Sequence, residues 1–258
     1  MSTVSKVRIT SPVKTDDVIF SNIQRAAEQL KEIGVEVEVI SRMKKTINDF
    51  FKESTIPLIV ISHQLPLLYF DSTSKIVYHE NTGKFKLKAF YRRGEIPPLI
   101  QMMARPLDTG LSIVDSTMGM GNDLILMATI LEKSEFHAYE THPLIYFVIS
   151  EGIKQFHPEL SARITFHYGL ADQKVLQQAD YVYADPMFEE TIPQQSGMEV
   201  LHDFAEQMDS TSFIRYLTDY SDIVILKAHF RSPLFQHFNF DVQPRRNTKT
   251  HFGIKKSR

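Results

Sequence analysis

The sequence predicts an α/β protein in two parts: a small α/β domain over residues 1–95, then a parallel sheet flanked by helices over residues 96–258. Three observations predict it. From residue 111 onward, short apolar runs alternate regularly with segments of helical spacing, the pattern of a parallel sheet covered on both faces. The first part mixes strand-like and helical segments without that regularity. Pro97-Pro98 and Pro106 punctuate the passage between the two, which places the boundary near residue 95. At 258 residues, 43% hydrophobic and 23% charged, the chain has a globular composition and the length for one or two domains.

The elements follow in order. Residues 7–10 read as a strand. Asp16 or Asp17 caps a helix whose apolar positions Ile19, Ile23, Ala26, Ala27 and Leu30 recur at intervals of three and four, and Gly34 ends it. Val35, Val37 and Val39 alternate with Glu36 and Glu38, which predicts a half-buried strand. A short helix is expected near 46–52, then strands at 58–62, 67–70 and 76–78. Lys84, Lys88 and Arg92 fall four apart, a helix with one basic face. In the second part the strands are 112–115, 136–140, 163–166, 181–185 and 223–227. Helices are expected near 123–131, 144–156, 174–178 and 198–220, the last broken near Ser210. Runs at 236–242 and 249–254 follow with no helical segment between, which predicts a C-terminal antiparallel hairpin at the sheet edge.

Composition narrows the function classes. No window has the ~18 uncharged apolar residues of a membrane span. Residues 1–6 precede Thr10-Ser11-Pro12 without an apolar run, so no secretory signal is expected and the cytoplasm is the expected location. The chain has no cysteine, which removes disulfides, thiolate metal sites and cysteine nucleophiles. The histidine pairs His137/His142 and His229/His237 are not spaced for one face, and no metal is expected. Ser116 and Ser196 lack a nucleophile elbow. The net charge of −2 excludes a general polycation, yet Lys84, Lys86, Lys88, Arg92 and Arg93 form a run without an acid. Arg245, Arg246, Lys249, Lys255, Lys256 and Arg258 form a second. Such runs are either solvated faces or phosphate-binding patches. With Phe85, Phe90 and Tyr91 interleaved, the first has the composition that grips RNA by charge and stacking.

Ligands of open parallel sheets sit beyond the carboxyl ends of the strands. The first strand there runs into Asp115-Ser116-Thr117-Met118-Gly119-Met120-Gly121-Asn122-Asp123. Its two glycines permit a tight turn and close backbone approach, ahead of the free amides of a helix N-terminus. The next strand ends in Glu140, 21 residues after Gly119, where a carboxylate can bind a ribose diol. Nicotinamide, flavin and S-adenosylmethionine sites share this much. The third glycine of the dinucleotide fingerprint would fall at Leu124, and Asp115 is poor company for a pyrophosphate but suits a cationic amino-acid end. Both features favour S-adenosylmethionine. The fourth strand ends in Asp185-Pro186-Met187-Phe188. The Asp185 carboxylate and Pro186 carbonyl can hold the protons of an exocyclic base amine so that its lone pair points at the methyl donor. Phe188 can stack on the base.

The run Asp115-x-Thr117-x-Gly119-x-Gly121-x-Asp123, then Glu140-x-His142-Pro143, then Asp185-Pro186-Met187-Phe188 resembles the class I S-adenosylmethionine-dependent methyltransferases of the ribosomal RNA small subunit methyltransferase J type and the related YpiP-like proteins. The resemblance covers about residues 81–258. It implies a Rossmann-like seven-stranded sheet and methylation of guanine N2 in small-subunit ribosomal RNA. Carried over by position, it implies cofactor contacts at Asn122 and Asp123, at Glu140 and Thr141, and at Gly169 and Leu170. Asp185 falls at the methyl-transfer centre, Arg93-Gly94 in a basic segment, and Lys227 with a lysine after the fifth strand. Asn122 stands where that family often has Arg, Gly169-Leu170 replaces a pair of small hydroxyl residues, and Glu189 replaces a proline. The expected partner is ribosomal RNA or the small subunit, with a flipped target base, held by the N-terminal domain and the basic C-terminus. The oligomeric state is open. The alternatives are transfer to another nucleic-acid, protein or small-molecule amine, a nicotinamide-dependent oxidoreductase, and a non-catalytic RNA-binding protein.

Overall fold

The structure, a computed structural model, describes residues 6–186, 209–245 and 248–257, without the side chains of Phe85 and Lys86. The chain divides into two compact units. The first takes residues up to Glu80 together with 142–158, and the second the remaining described residues. The division falls after Glu80 rather than near residue 95.

In the first unit a five-stranded sheet has the order β2-β1-β3-β4-β5. Its strands are β1 (Lys6–Thr10), β2 (Glu36–Val39), β3 (Leu58–Ile61), β4 (Pro66–Tyr69) and β5 (Lys75–Ile76). β1 pairs parallel with β2 and β3, and β3, β4 and β5 pair antiparallel. Helix α1 (Asp17–Glu32) buries Ile19, Ile23, Ala26, Ala27 and Leu30, as its spacing predicts, and the Asp16 carboxylate accepts the Ile19 amide at 3.0 Å. Thr46 and Asp49 form a reciprocal capping box on α2 (Ile47–Glu53). The half-buried strand expected from Val35 to Val39 is instead a largely exposed edge, with Val39 58% exposed, because β1 is its one partner in the sheet. Buried Arg8 donates to the carbonyls of Phe50, Ser54 and Ile56 at 2.7–3.2 Å, fixing the turn between α2 and β3.

Helix α6 (Pro143–Phe156) also belongs to this unit and packs on β4 and α1. The His142 Nδ1 accepts the Ile145 amide at 3.3 Å, so this histidine caps the helix. Burial holds its imidazole down at about 4, so it stays the neutral acceptor that the cap requires.

The second unit is a seven-stranded sheet of order β11-β12-β10-β9-β6-β7-β8. Its parallel strands are β6 (Ser112–Asp115), β7 (Glu135–Glu140), β8 (Ile164–Tyr168), β9 (Tyr181–Ala184) and β10 (Ile223–His229). The antiparallel strands β11 (Asp241–Gln243) and β12 (Thr250–Lys256) complete it, and the strand order reverses at β6, where ligands of such sheets bind. Helices α3 (Lys84–Arg93), α4 (Pro98–Met103), α5 (Asn122–Ile130), α8 (Gln173–Gln178), α9 (Ser210–Tyr220) and α10 (Pro233–His237) surround it. A short helix, α7 (Pro158–Ser161), precedes β8.

One expectation is corrected here. The run read as strand from residue 236 begins inside α10, which Ser232 caps and which starts on Pro233, so a helix does separate β10 from the hairpin. The antiparallel hairpin lies at the sheet edge as expected, with β12 beside β10 and β11 outermost. Pro97 is the N-cap of α4 and Pro98 its first residue, because proline at the first helical turn gives up no hydrogen bond. Of the helix expected over 198–220, residues 198–208 lie outside the described residues.

Period-two alternation sorts the strands' side chains. Val114, Val182, Ala184, Val224, Leu226 and Ala228 share one core cluster with Leu176, Phe213, Ile214, Leu217, Leu234 and Phe235 of α8, α9 and α10. Tyr183 and Lys227, one position out of phase, instead reach the α5 side, where both engage Asp123.

In the first unit, Gly152 of α6 faces Tyr78 so closely that a Cβ would stand 2.2 Å from the tyrosine Cβ, an atom its backbone holds in place. Gly152→Ala is expected to lower the stability by about 1–3 kcal/mol in a denaturant melt, despite alanine's better helix propensity. A neutral or stabilising effect would show that α6 and Tyr78 do not pack this way.

Candidate methyl-transfer site

The site lies at the carboxyl ends of β6, β7 and β9. Asp115 ends β6 only 1% exposed, and its carboxylate accepts the Thr117 amide at 3.1 Å. Thr117 Oγ1 in turn accepts the Asp185 amide at 2.7 Å, joining the glycine loop to the end of β9. The loop turns through Gly119 (φ +49°) and Gly121 (φ +75°), both left-handed, and Gly121 leads into α5 without a side-chain cap. Glu140, at the end of β7, accepts the Gly119 amide at 3.0 Å, so the carboxylate expected at a ribose is tied to the loop. The Gly169 amide donates to the Glu140 carbonyl at 2.9 Å, which brings Gly169 and the 43%-exposed Leu170 to the same rim.

The structure thus gathers Asp115, Thr117, Gly119, Gly121, Glu140, Gly169 and Asp185 at the carboxyl end of the sheet. Asn122 and Asp123 open α5, and Thr141 follows β7 directly. Pro186 is buried after Asp185, whereas Met187 and Phe188 lie outside the described residues. Asp123 is not poised at the loop surface. It is 7% exposed and its Oδ2 takes the Tyr183 hydroxyl at 2.9 Å and the Lys227 ammonium at 3.0 Å. Lys227 also donates to Asp185 Oδ2. It lies within β10, opposite Phe252, rather than after the strand. Sequence reasoning placed Lys227 only by alignment and missed its double pairing and that of Tyr183. The signal was available: a lone cation in the apolar run Ile223-Val224-Ile225-Leu226 is expected to be paired.

Electrostatics separate the four carboxylates. Burial pushes the Asp115 carboxyl up to about 8; the Thr117 amide opposes the shift, and Asp123, Asp185 and Glu140 reinforce it. Burial would discharge Lys227, but the negative charges of Asp123 and Asp185 outweigh it and hold the ammonium above its usual range. Burial and the surrounding acids hold Tyr183 well above an ordinary phenol, so it remains a donor.

A cleft of 690 Å³ opens over this network, with Asp123 and Lys227 in its lining. Lys88, Arg92 and Arg93 of α3 and Arg245, from the other basic run, line it too. Arg245 lies over the Phe252 ring at 5.2 Å. Lys84 lies on α3 but does not line the cleft, the Lys86 side chain is not described, and Arg246 lies outside the described residues. Among the described residues there is no cluster able to hold a metal ion, and no helix is long and apolar enough to cross a membrane.

No protein-family model matches the chain. It is 28% identical over 247 residues to the uncharacterized protein YpiP of Bacillus subtilis (strain 168), covering 90% of this chain and 93% of that one. Over 85 residues it is 29% identical to the ribosomal RNA small subunit methyltransferase J of Hahella chejuensis, spanning about a third of each (31% and 32%). Among solved structures, the S-adenosylmethionine-dependent methyltransferase NGO1261 of Neisseria gonorrhoeae superposes with a TM-score of 0.56 at 16% identity, over 97% of this chain and 96% of that one. The fold is therefore that of the class I methyltransferases, α/β with the seven-stranded sheet described above. Within that class the chain is related in sequence to YpiP and, over the shorter segment, to methyltransferase J.

Asp115 sets a pH dependence of stability. The unfolded carboxyl ionises from about pH 4, the folded one only near about 8. The wild-type protein therefore loses stability as pH rises through that window, by at most ~1.4 kcal/mol per unit. Asp115→Asn, which can still accept the Thr117 amide, is expected to gain stability over wild type progressively from pH 5 to 8 in thermal melts. A gain that does not change with pH would show that Asp115 ionises normally.

Proposed function

We propose that this chain transfers a methyl group from S-adenosylmethionine to an exocyclic amine of a nucleic-acid base, with guanine N2 of small-subunit ribosomal RNA as the target. The observation that carries the reading is the Asp115–Thr117–Asp185 connection. It ties a buried acid suited to a cationic ligand to an acid at the end of the fourth parallel strand, beside a basic cleft. Relatedness to a ribosomal RNA methyltransferase supports the choice of target.

The residues fit the cofactor. Asp115 is a buried carboxyl that an incoming ammonium or sulfonium would ionise, and the positive-φ glycines leave the loop without side chains at its turns. Glu140, held by the Gly119 amide, is the carboxylate assigned to the ribose diol. Asn122, Asp123, Thr141, Gly169 and Leu170 complete the assigned contacts. S-adenosylmethionine supplies an electrophilic methyl group when bound.

The protein's part is to bind and orient. Asp185 and the Pro186 carbonyl accept the amine protons, which turns the nitrogen lone pair out of conjugation, and Phe188 stacks on the base. No strong base is needed, since methyl transfer leaves the nitrogen positively charged and its proton acidic enough to pass to Asp185 or to water. Lys88, Arg92, Arg93 and Arg245 take the phosphates flanking a base that has left its stack. Lys84, Lys86 and Arg246 and the N-terminal unit are assigned further RNA contacts, and the chain works on the ribosomal RNA of the cytoplasm.

Labelled methyl transfer to under-methylated small subunits and to free RNA tests the reading. N2-methylguanosine is expected in the product digest. Asp185→Ala is expected to cost at least about 100-fold in rate, and Arg92→Glu to raise KM and flatten its salt dependence. Transfer to RNA that Asp185→Ala leaves unchanged would overturn the assignment of the amine site. Cofactor binding without transfer to either RNA would overturn the ribosomal target.

A further inference from the structure

Lys227 joins two acids that have different assigned tasks. Its ammonium pairs with Asp123 at the start of α5 at 3.0 Å and with Asp185 at the end of β9, and its side chain is only 17% exposed. The α5 acid is fixed from the other side by the Tyr183 hydroxyl at 2.9 Å. Asp185 is fixed through its own amide by Thr117 at 2.7 Å. The Asp185 carboxylate is therefore anchored at its backbone and at Oδ2, and an ionised carboxylate has acceptor capacity for several further hydrogen bonds.

We propose that Lys227 is a positioning residue of the methyl-transfer site, clamped between Asp123 and Asp185 so that the Asp185 carboxylate is aimed and ready to accept the target amine. The proposal rests on the methyl-transfer reading of Asp185. Its physical ground is the company this carboxylate keeps. Asp115 on β6, Asp123 on α5 and Glu140 on β7 all bring acid functions to the same sheet end, Tyr183 adds a buried phenol, and Lys227 on β10 pairs its ammonium with Asp123 and Asp185. Nearby acids favour the protonated form of a carboxyl, as they do in reinforcing the effect of burial at Asp115, and a protonated Asp185 would offer the amine a donor where it needs an acceptor. Lys227 prevents that. An ion pair of purely structural use, holding α5 against β10, would not require Asp185 as a second partner.

The test is a titration of the Asp185 carboxyl carbon by NMR in the full chain, assigned by its loss in Asp185→Asn. The Asp185 carboxyl is expected to titrate at a lower pH in the wild-type protein than in a variant without the Lys227 charge. In Lys227→Met it is expected to titrate at least one pH unit higher, and Lys227→Arg is expected to restore most of the difference. Lys227→Gln serves as the second neutral variant should Lys227→Met fail to fold. In methyl-transfer assays at saturating cofactor, the acid limb of kcat is expected to move up by the same interval. A folded neutral variant whose Asp185 titrates as in the wild type overturns the proposal, even where methyl transfer is established. Absence of methyl transfer by the wild-type protein would instead overturn the reading of the reaction, and it leaves the titration unaffected.

Discussion

The arrangement depends on one electrostatic constraint: four carboxyl groups gathered at the end of a sheet buried on both faces. Such a cluster cannot stay fully ionised in a poorly hydrated site. The protein resolves each member differently. Asp115 gives up its charge, Glu140 accepts a backbone amide, and Asp123 and Asp185 share Lys227. Buried ion pairs seldom add net stability, because desolvation offsets the Coulombic gain. Here burial alone would discharge Lys227, and the charges of Asp123 and Asp185 outweigh it. An apolar cluster would pack as well and cost less. On the proposed reading, the charges are kept because the reaction needs one acid to meet a cation and another to meet an amine.

Much of this was legible in the sequence because it depends on short-range geometry. Alternation at two and at three to four gave the parallel sheet and α1. The chain's own turn chemistry marked the glycine loop, and Asp185 and Glu140 stand where strands end. What was missed depends on context. Pro97-Pro98 punctuates the passage between the two parts, yet Pro98 begins a helix, as does Pro233 where no helix was expected, because a proline costs nothing where the amide has no partner anyway. Val37 and Val39 alternate like a half-buried strand, but burial depends on what covers a face, and β2 is an edge. The double pairing of Lys227 joins residues 104 and 42 positions away, a separation no local pattern reports.

The two basic runs posed the sharpest ambiguity, since a charge run is as easily a solvated face as a phosphate site. The fold narrows it. Lys88, Arg92 and Arg93 from the first run and Arg245 from the second line one cleft, though far apart in sequence. Cations brought together repel one another, and that cost is recovered when an anion binds between them. An exposed pair such as Arg93 with Glu95 contributes little by comparison.

The two charge fields then divide the proposed reactants. The acids at the ends of β6 and β7 favour a cationic methyl donor, whose binding would ionise Asp115, and disfavour phosphate. The basic cleft does the reverse, drawing in a polyanion and disfavouring a cation. Lys227 belongs to both, as part of the cleft lining and as the partner of the acids, with Asp185 beside it. A base amine is neutral and is steered by neither field alone. It is carried in by its flanking phosphates and must then meet an acceptor that those same phosphates would tend to protonate. A phosphate near a carboxylate raises its proton affinity. The closer the RNA backbone comes to Asp185, the more the site needs a fixed cation at that carboxylate, and the position of Lys227 in the middle of β10 supplies one that the backbone cannot displace by moving a loop.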